Sequence, residues 1–294
     1  MCRSLKGCSE DSLEMIKKIL FPVDFSPACA AMAGYVRSVA KVSGAGVTLL
    51  YVVNLVSRNG FEIYVRPEPE IEEENRALAQ DKLNSFLHTE FPASESNRLL
   101  AFGDPADETT RIANASSCDL IVMPTHAGRF RRMLLGSTTA KVLVDAGCPV
   151  LTTQHAETIS PKPLDARSWL CAISPDEDPR RVLSAASEAA QVTGARLSVL
   201  HIIQASSVGI PRELTPDDER TLPEARTVRA RAEQLQLEIG SSAPVHIAAG
   251  PSVKETLVEA VRRAAPDLLI IGRNGQHDLA YQIVRDSPVS VLSL

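Results

Sequence analysis

Gly136-Ser137-Thr138 follows an apolar run and a basic turn, and it opens a segment, STTAKVLVDAG, with helical spacing. A glycine and hydroxyl residues at a helix start offer unpaired N–H groups, a side-chain donor and the positive end of the helix dipole. Together these suit a phosphate or another anion. Arg129, Arg131 and Arg132 lie between this triplet and the turn Pro124-Thr125-His126-Ala127-Gly128, and they can add charge-assisted contacts. The plainer reading is an ordinary helix start, with Ser137 as N-cap and the arginines in solvent. A second candidate segment is Pro22-Val23-Asp24-Phe25-Ser26. Asp24 either caps the helix that follows, or accepts hydrogen bonds from a sugar or base edge, or helps to hold Mg²⁺. A third is Tyr51-Val52-Val53-Asn54 at the end of an apolar run, where an apolar side chain either lies against a ring or packs in the core.

Other chemistries are poorly served. There is no GxxxxGK[ST] or GxGxxG loop and no GxSxG elbow. Among the six histidines only His126 stands near these segments, and no general acid–base pair can be assembled, so no catalytic residue is expected. The six cysteines form no CxxC pair, and several sit in apolar runs, as in SSCDLIVM and WLCAI. They read as reduced or buried thiols rather than a disulfide framework or zinc site. A net charge of −5 gives no basic field for nucleic acid or anionic membrane. No apolar run reaches the length of a membrane span, and MCRSLKGCSEDSLEM lacks the apolar core of a signal peptide. The expected location is the cytoplasm.

The three segments need a scaffold that gathers strand ends. At 294 residues and 44% apolar content the chain suits two domains. Internal repetition supports this. GAGVTLLYVVN (44–54) aligns with GARLSVLHIIQ (194–204) at an offset of 150, and GDPADETT (103–110) with GPSVKETL (250–257) at 147. DLIVM (119–123) aligns with DLLII (267–271) at 148, and CPVL (148–151) with SPVS (287–290) at 139. The drop in offset places a loss of nine residues between the fourth and fifth strands of the second copy. In each copy, near-continuous apolar strands alternate with helical patterns, the signature of a parallel sheet covered on both faces. In the second copy one long helix is expected within 217–239. The expected organisation is residues 15–154, a linker at 155–167 and residues 168–294, each copy a doubly wound, Rossmann-like α/β domain. Ligands of such sheets sit beyond the carboxyl ends of the strands, where all three segments emerge.

The chain resembles tandem members of the universal stress protein family over residues 15–294, through ILFPVDFS, TLLYVV, GDPADET, DLIVMPTHAG, LLGSTTAKVL and CPVL. The resemblance implies two five-stranded parallel sheets of order 3-2-1-4-5 and an adenine-nucleotide site, with ATP, with or without Mg²⁺, as ligand. It also implies that fifth strands pair between tandem domains or across dimers, here 149–153 with 289–293 about a pseudo-twofold, with a homodimer of chains open. Onto this sequence the family's nucleotide residues carry over as Pro22, Val23, Asp24, Val52, Met123, Pro124, Ala127, Gly128, Gly136, Ser137 and Thr138. The family's motif is Gly-x2-Gly-x9-Gly-[Ser/Thr]. Here Pro124 and Ala127 replace its first two glycines, Gly128 comes one step late, and eight residues separate Ala127 from Gly136. Losing one donor to a charged phosphate costs roughly 1.5–3 kcal/mol, about 10- to 150-fold in affinity.

The second copy keeps Gly272-Arg273-Asn274-Gly275 but has no following Gly-Ser/Thr, and Ser174 replaces Asp24. It is expected to bind no nucleotide. Two functions follow. One is a stress-response protein whose first domain binds an adenine nucleotide to regulate an unknown protein partner. The other is a nucleotide-free scaffold acting through oligomerisation and partner surfaces. An ATP-cleaving enzyme of the pyrophosphatase type would need an SGG loop after the first strand, which FPVDFS does not supply.

Overall fold

The computed structural model describes residues 16–54, 69–125, 135–153, 168–174, 178–273 and 277–294. The expected linker 155–167 and most of the polar loop 56–70 lie outside them. The first half runs β1 (Lys18–Pro22), α1 (Pro27–Ser43), β2 (Gly46–Val53), α2 (Pro69–Ser85), β3 (Ser96–Phe102), α3 (Pro105–Ala115), β4 (Leu120–Pro124), α4 (Ser137–Asp145) and β5 (Val150–Thr153). The second begins with β6 (Ser168–Ile173), α5 (Pro179–Thr193), β7 (Arg196–Gln204), β8 (Arg212–Glu213), α6 (Pro216–Thr221) and α7 (Pro223–Ile239). It continues through β9 (Val245–Gly250), α8 (Val253–Ala264), β10 (Leu268–Ile271), α9 (His277–Asp286) and β11 (Ser290–Ser293).

The strands among the described residues join one 11-stranded sheet of order β3-β2-β1-β4-β5-β11-β10-β6-β7-β9-β8. The first half thus has the expected order 3-2-1-4-5, and the second repeats it in reverse across the seam. To this the structure adds β8, a two-residue antiparallel strand on β9 that the sequence pattern did not announce. Strand alternation sends Ile19 and Phe21 to one face and Leu20 to the other, and likewise Leu120 and Val122 against Ile121 and Met123. One face is covered by α1, α2, α5 and α7, the other by α3, α4, α8 and α9.

Local signals set the boundaries. Ser26 caps α1 by accepting from the Cys29 amide at 3.2 Å, Pro27 fills the first turn, and Gly44 ends the helix at φ 69°. The expected long helix within 217–239 is α7, and the short α6, which was not expected, precedes it. Pro223 excludes the α conformation from the residue before it, and Leu222 accordingly lies at φ −107°, ψ 100°.

At the seam β5 and β11 pair antiparallel, with Val291 opposite Thr152, Leu292 opposite Leu151 and Ser293 opposite Val150. Equivalent strands meeting this way create a local pseudo-twofold. The Thr153 and Ser290 hydroxyls share a hydrogen bond at 2.9 Å, and the Thr152 hydroxyl donates to the Val291 carbonyl at 3.3 Å. The ladders also correct the repeat alignment. Ile121 pairs with Val150, and its counterpart Leu269 pairs with Val291. Val291 therefore matches Val150 at an offset of 141, and the second half's loop is shorter by seven residues, not nine. The Pro-Val pairs at 149–150 and 288–289 had drawn the alignment two positions out of register.

Because the seam makes the two cores continuous, disturbance of one half should reach the other. Leu151→Ala, at a position 2% exposed, should lower the unfolding free energy by about 2–5 kcal/mol. The chain's one tryptophan, Trp169 in β6, reports the second half. Its fluorescence should follow the same lowered midpoint as far-ultraviolet dichroism; an unmoved tryptophan transition would contradict the coupling.

Candidate functional site

The carboxyl ends of β1, β2 and β4, with the starts of α3 and α4, enclose a cleft of about 220 Å³. Nine of the eleven residues singled out from the sequence line it: Pro22, Val23, Asp24, Val52, Met123, Pro124, Gly136, Ser137 and Thr138. Ala127 and Gly128 lie outside the described residues, as do His126, Arg129, Arg131 and Arg132. The volume is below the roughly 300–1,000 Å³ common for enclosed ligand pockets. As outlined by the described residues, it is a small groove.

One end of the groove is made by α4. Its N-cap is Gly136, not Ser137 as the plainer reading of the sequence had it, and no side chain caps it. The Gly136 amide already donates to the Thr125 carbonyl at 2.9 Å. This corrects the expectation that the glycine itself offers a free N–H. The next two amides, of Ser137 and Thr138, meet no acceptor among the described residues. Ser137 is exposed and Thr138 half-buried, so both can reach a ligand. Gly136 lies at φ −59°, which any residue adopts.

The helix is held from several sides. The Thr139 hydroxyl donates to the Pro124 carbonyl at 3.1 Å, beneath the groove. Lys141 Nζ reaches Asp107 at 2.9 Å and Asp104 at 3.3 Å on α3. Asp104 in turn caps α3, accepting from the amides of Ala106 at 3.0 Å and Asp107 at 3.1 Å. Pro124 itself, the last residue of its strand, pairs only with β5, so its missing N–H leaves no gap in the β1 ladder.

Asp24 stands at the other end. Its Oδ1 accepts from the Ser26 amide at 2.9 Å, so it braces the turn while Ser26 does the capping. The capping role considered for Asp24 therefore belongs to Ser26, and Asp24 is exposed toward the groove. Next to it Phe25 has φ 61°, a left-handed conformation costing roughly 1–2 kcal/mol for such a residue. Its ring packs against Tyr51 at 4.4 Å and edge-on against Phe86 at 5.1 Å, with Lys82 Nζ 4.3 Å above it. Contacts of these kinds contribute about 0.5–1.5 kcal/mol each, enough to offset the strain and fix the turn that presents Asp24.

The sequence reading missed Cys29, Leu50, Pro105, Thr109 and Thr139 among the lining residues. The helical pattern of PADETTRIANAS could have placed Thr109 on the inner face; nothing in the sequence announces the conformation of Phe25. Burial, and then the negative charge of Asp24, push the Cys29 thiol far above its ordinary pKa. Cys29 is therefore a protonated wall residue and not a nucleophile. Among the described residues no cluster of three His, Cys, Asp or Glu is placed to hold a metal, and no helix is long and apolar enough to cross a membrane. Another cavity, about 290 Å³, lies beneath α8 in the second half, toward the amino end of β6. The ionisable groups of its lining already have partners: His246 meets Glu213 at 2.6 Å, Arg263 meets Glu259 at 3.4 Å, and Arg212 pairs with Asp218 outside the cavity at 2.6 Å.

Comparison with known proteins agrees with this architecture. The model of the universal stress protein family matches residues 15–154 and again 167–293. Universal stress protein MJ0531 of Methanocaldococcus jannaschii is 31% identical over 147 residues, covering 48% of this chain and 83% of the relative. Universal stress protein MJ0577 of the same organism is 25% identical over 156 residues, 48% of this chain and 96% of its own length. Such relatives correspond to about one half of this chain. The crystal structure of a universal stress protein from Archaeoglobus fulgidus covers 97% of the chain and 98% of its own length, with a TM-score of 0.65 at 20% identity, a likeness of fold.

The α3–α4 contact carries a pH signature. The pKa of Asp104 lies below the ordinary aspartate value of 3.8, chiefly because the Asp107 amide donates to it, with Lys141 adding to the effect. A carboxyl depressed in the folded state contributes stability above its unfolded pKa and loses it as pH falls through the folded one. Asp104→Ala should therefore cost about 1 kcal/mol at pH 7. In urea titrations the deficit should shrink below about pH 4; a deficit constant down to pH 2 would contradict this assignment.

Proposed function

The chain belongs to the universal stress protein family in both halves, and on that premise we propose that its first half holds an adenine nucleotide, ATP or a close relative. The observation that carries the reading is the pair of open amides at Ser137 and Thr138, at the head of a groove with an apolar wall. A phosphate accepts from those amides at the positive end of α4. Val23, Val52 and Met123 give the base an apolar surface, and Asp24 can accept from a ribose hydroxyl. If Mg²⁺ accompanies the nucleotide, Asp24 is the one carboxylate among the described lining residues, and the remaining oxygen ligands must come from the nucleotide's phosphates and water. The adenine specificity is what the family likeness implies.

Among the described lining residues no pair of groups is arranged for general acid–base work, and in this reading occupancy rather than turnover is the signal. Occupancy of the groove is what a protein partner in the cytoplasm reads. The second half lacks the glycine–hydroxyl start, has the shorter loop, and takes no nucleotide. A second reading, a nucleotide-free scaffold working through oligomers and partner surfaces, is favoured by Pro124, which has no N–H, and by the engaged Gly136 amide.

Calorimetry with ATP and Mg²⁺ separates the readings. One nucleotide per chain is expected, and absence of heat at millimolar ATP removes the first reading. Ser137→Pro probes the amide itself. Proline suits the first helical position, and Gly136 at ψ 141° already has the extended backbone that a following proline demands. Ser137→Pro should preserve the fold and weaken ATP roughly 10- to 150-fold, whereas Ser137→Ala, which keeps the amide, should cost far less. Equal losses in both variants would assign the effect to the hydroxyl.

A further inference from the structure

Arg273 stands just after β10, at the position in the second half that Thr125 holds in the first. The ladders establish the match: the Thr125 amide donates to the Thr153 carbonyl at 3.2 Å, and the Arg273 amide donates to the Leu294 carbonyl at 2.9 Å. Their onward partners differ. The Thr125 carbonyl receives the Gly136 amide at the start of α4. The Arg273 side chain crosses the seam to the other end of the same helix, where Nη1 donates to the Leu143 carbonyl at 3.1 Å and Nη2 to the Cys148 carbonyl at 2.6 Å. Equivalent residues of the two halves thus grip opposite ends of α4.

The grip is physically costly. Arg273 is 9% exposed, no carboxylate among the described residues pairs with it, and its buried Nε meets no acceptor among them. A buried cation without a counter-ion is normally strongly unfavourable. Here the compensation comes from carbonyls at the negative end of a helix dipole, one of them a last-turn group otherwise left without a donor. The first half contains the same device in simpler form: Arg98 donates to the Leu83 and Phe86 carbonyls at the end of α2, from a strand of the same half. With Arg273 the cap is supplied from outside.

We propose that Arg273 is a positioning residue of the first half's anion site: by fixing the carboxyl end of α4 it sets where the Ser137 and Thr138 amides point. The inference rests on the nucleotide reading above and extends it. A helix of nine residues is a rigid rod of about 14 Å, so a tilt at one end displaces the other. The half without a nucleotide site thereby tunes the half that has one, and by reciprocity phosphate in the groove tightens the seam.

The test compares wild type, Arg273→Met and Arg273→Lys for ATP, inorganic triphosphate and adenosine, alongside hydrogen exchange of the ligand-free proteins. Arg273→Met should weaken ATP and triphosphate about tenfold while leaving adenosine unchanged. Arg273→Lys, which retains charge but not the two-pronged reach, should fall between. Amides of α4 should exchange faster in Arg273→Met, with those of α1 and α3 unaffected. Equal loss of ATP and adenosine would reduce Arg273 to a general structural role and overturn the proposal, as would unchanged ATP affinity. If wild type itself binds no nucleotide, the nucleotide reading is what has failed. The exchange data then judge the clamp alone: unchanged α4 exchange refutes it, and selective acceleration upholds it.

Discussion

Helix α4 can leave two amides uncommitted at its start only because so much else about it is committed. The Thr125 carbonyl takes its N-cap amide, the Thr139 hydroxyl ties its first turn to Pro124, Lys141 binds it to α3, and Arg273 closes its far end. Uncapped helix starts are ordinarily satisfied by a side chain or by water. A helix start that presents donors to a groove while the helix is tied at both ends has little ordering left to do when an acceptor arrives.

The arrangement depends equally on the seam. Closing β5 against β11 covers one of the two edges that each half's sheet would otherwise expose, and merges the two cores on both faces. It also brings the loop after β10 beside α4, which no separate half could achieve. Duplication thus did more than add a copy. In the second half Arg273 stands at the position of Thr125, and its side chain reaches the end of its neighbour's helix.

Much of this could be read from residues alone, and the remainder has identifiable physical causes. Sheet order and the pairing of 149–153 with 289–293 followed from repetition and family likeness, because apolar strand runs carry their burial in their composition. The long helix α7 was expected, but the six-residue α6 before it was not: it is too short to show a helical period, and Pro223 separates the two by holding Leu222 out of the α region. β8 is two residues long and leaves no periodic trace. At the site, residue types located the groove, but ownership of individual hydrogen bonds did not follow from them. Ser26 and not Asp24 caps α1, and the Gly136 amide is engaged by a carbonyl eleven positions away. Nor could spacing reveal that Arg273, read as a remnant of a glycine motif, crosses to the other half. Backbone-to-backbone and long-range contacts are set by tertiary geometry, which local pattern does not encode.

The central claim is that phosphate is held by backbone N–H groups of the first half's α4. A crystal structure with a non-hydrolysable ATP analogue tests it most directly. The account predicts phosphate oxygens about 3 Å from the Ser137 and Thr138 nitrogens, with the base along Val23 and Val52 and nothing bound at the start of α9. A nucleotide seated elsewhere, or phosphates contacting side chains alone while those two amides face solvent, would contradict it.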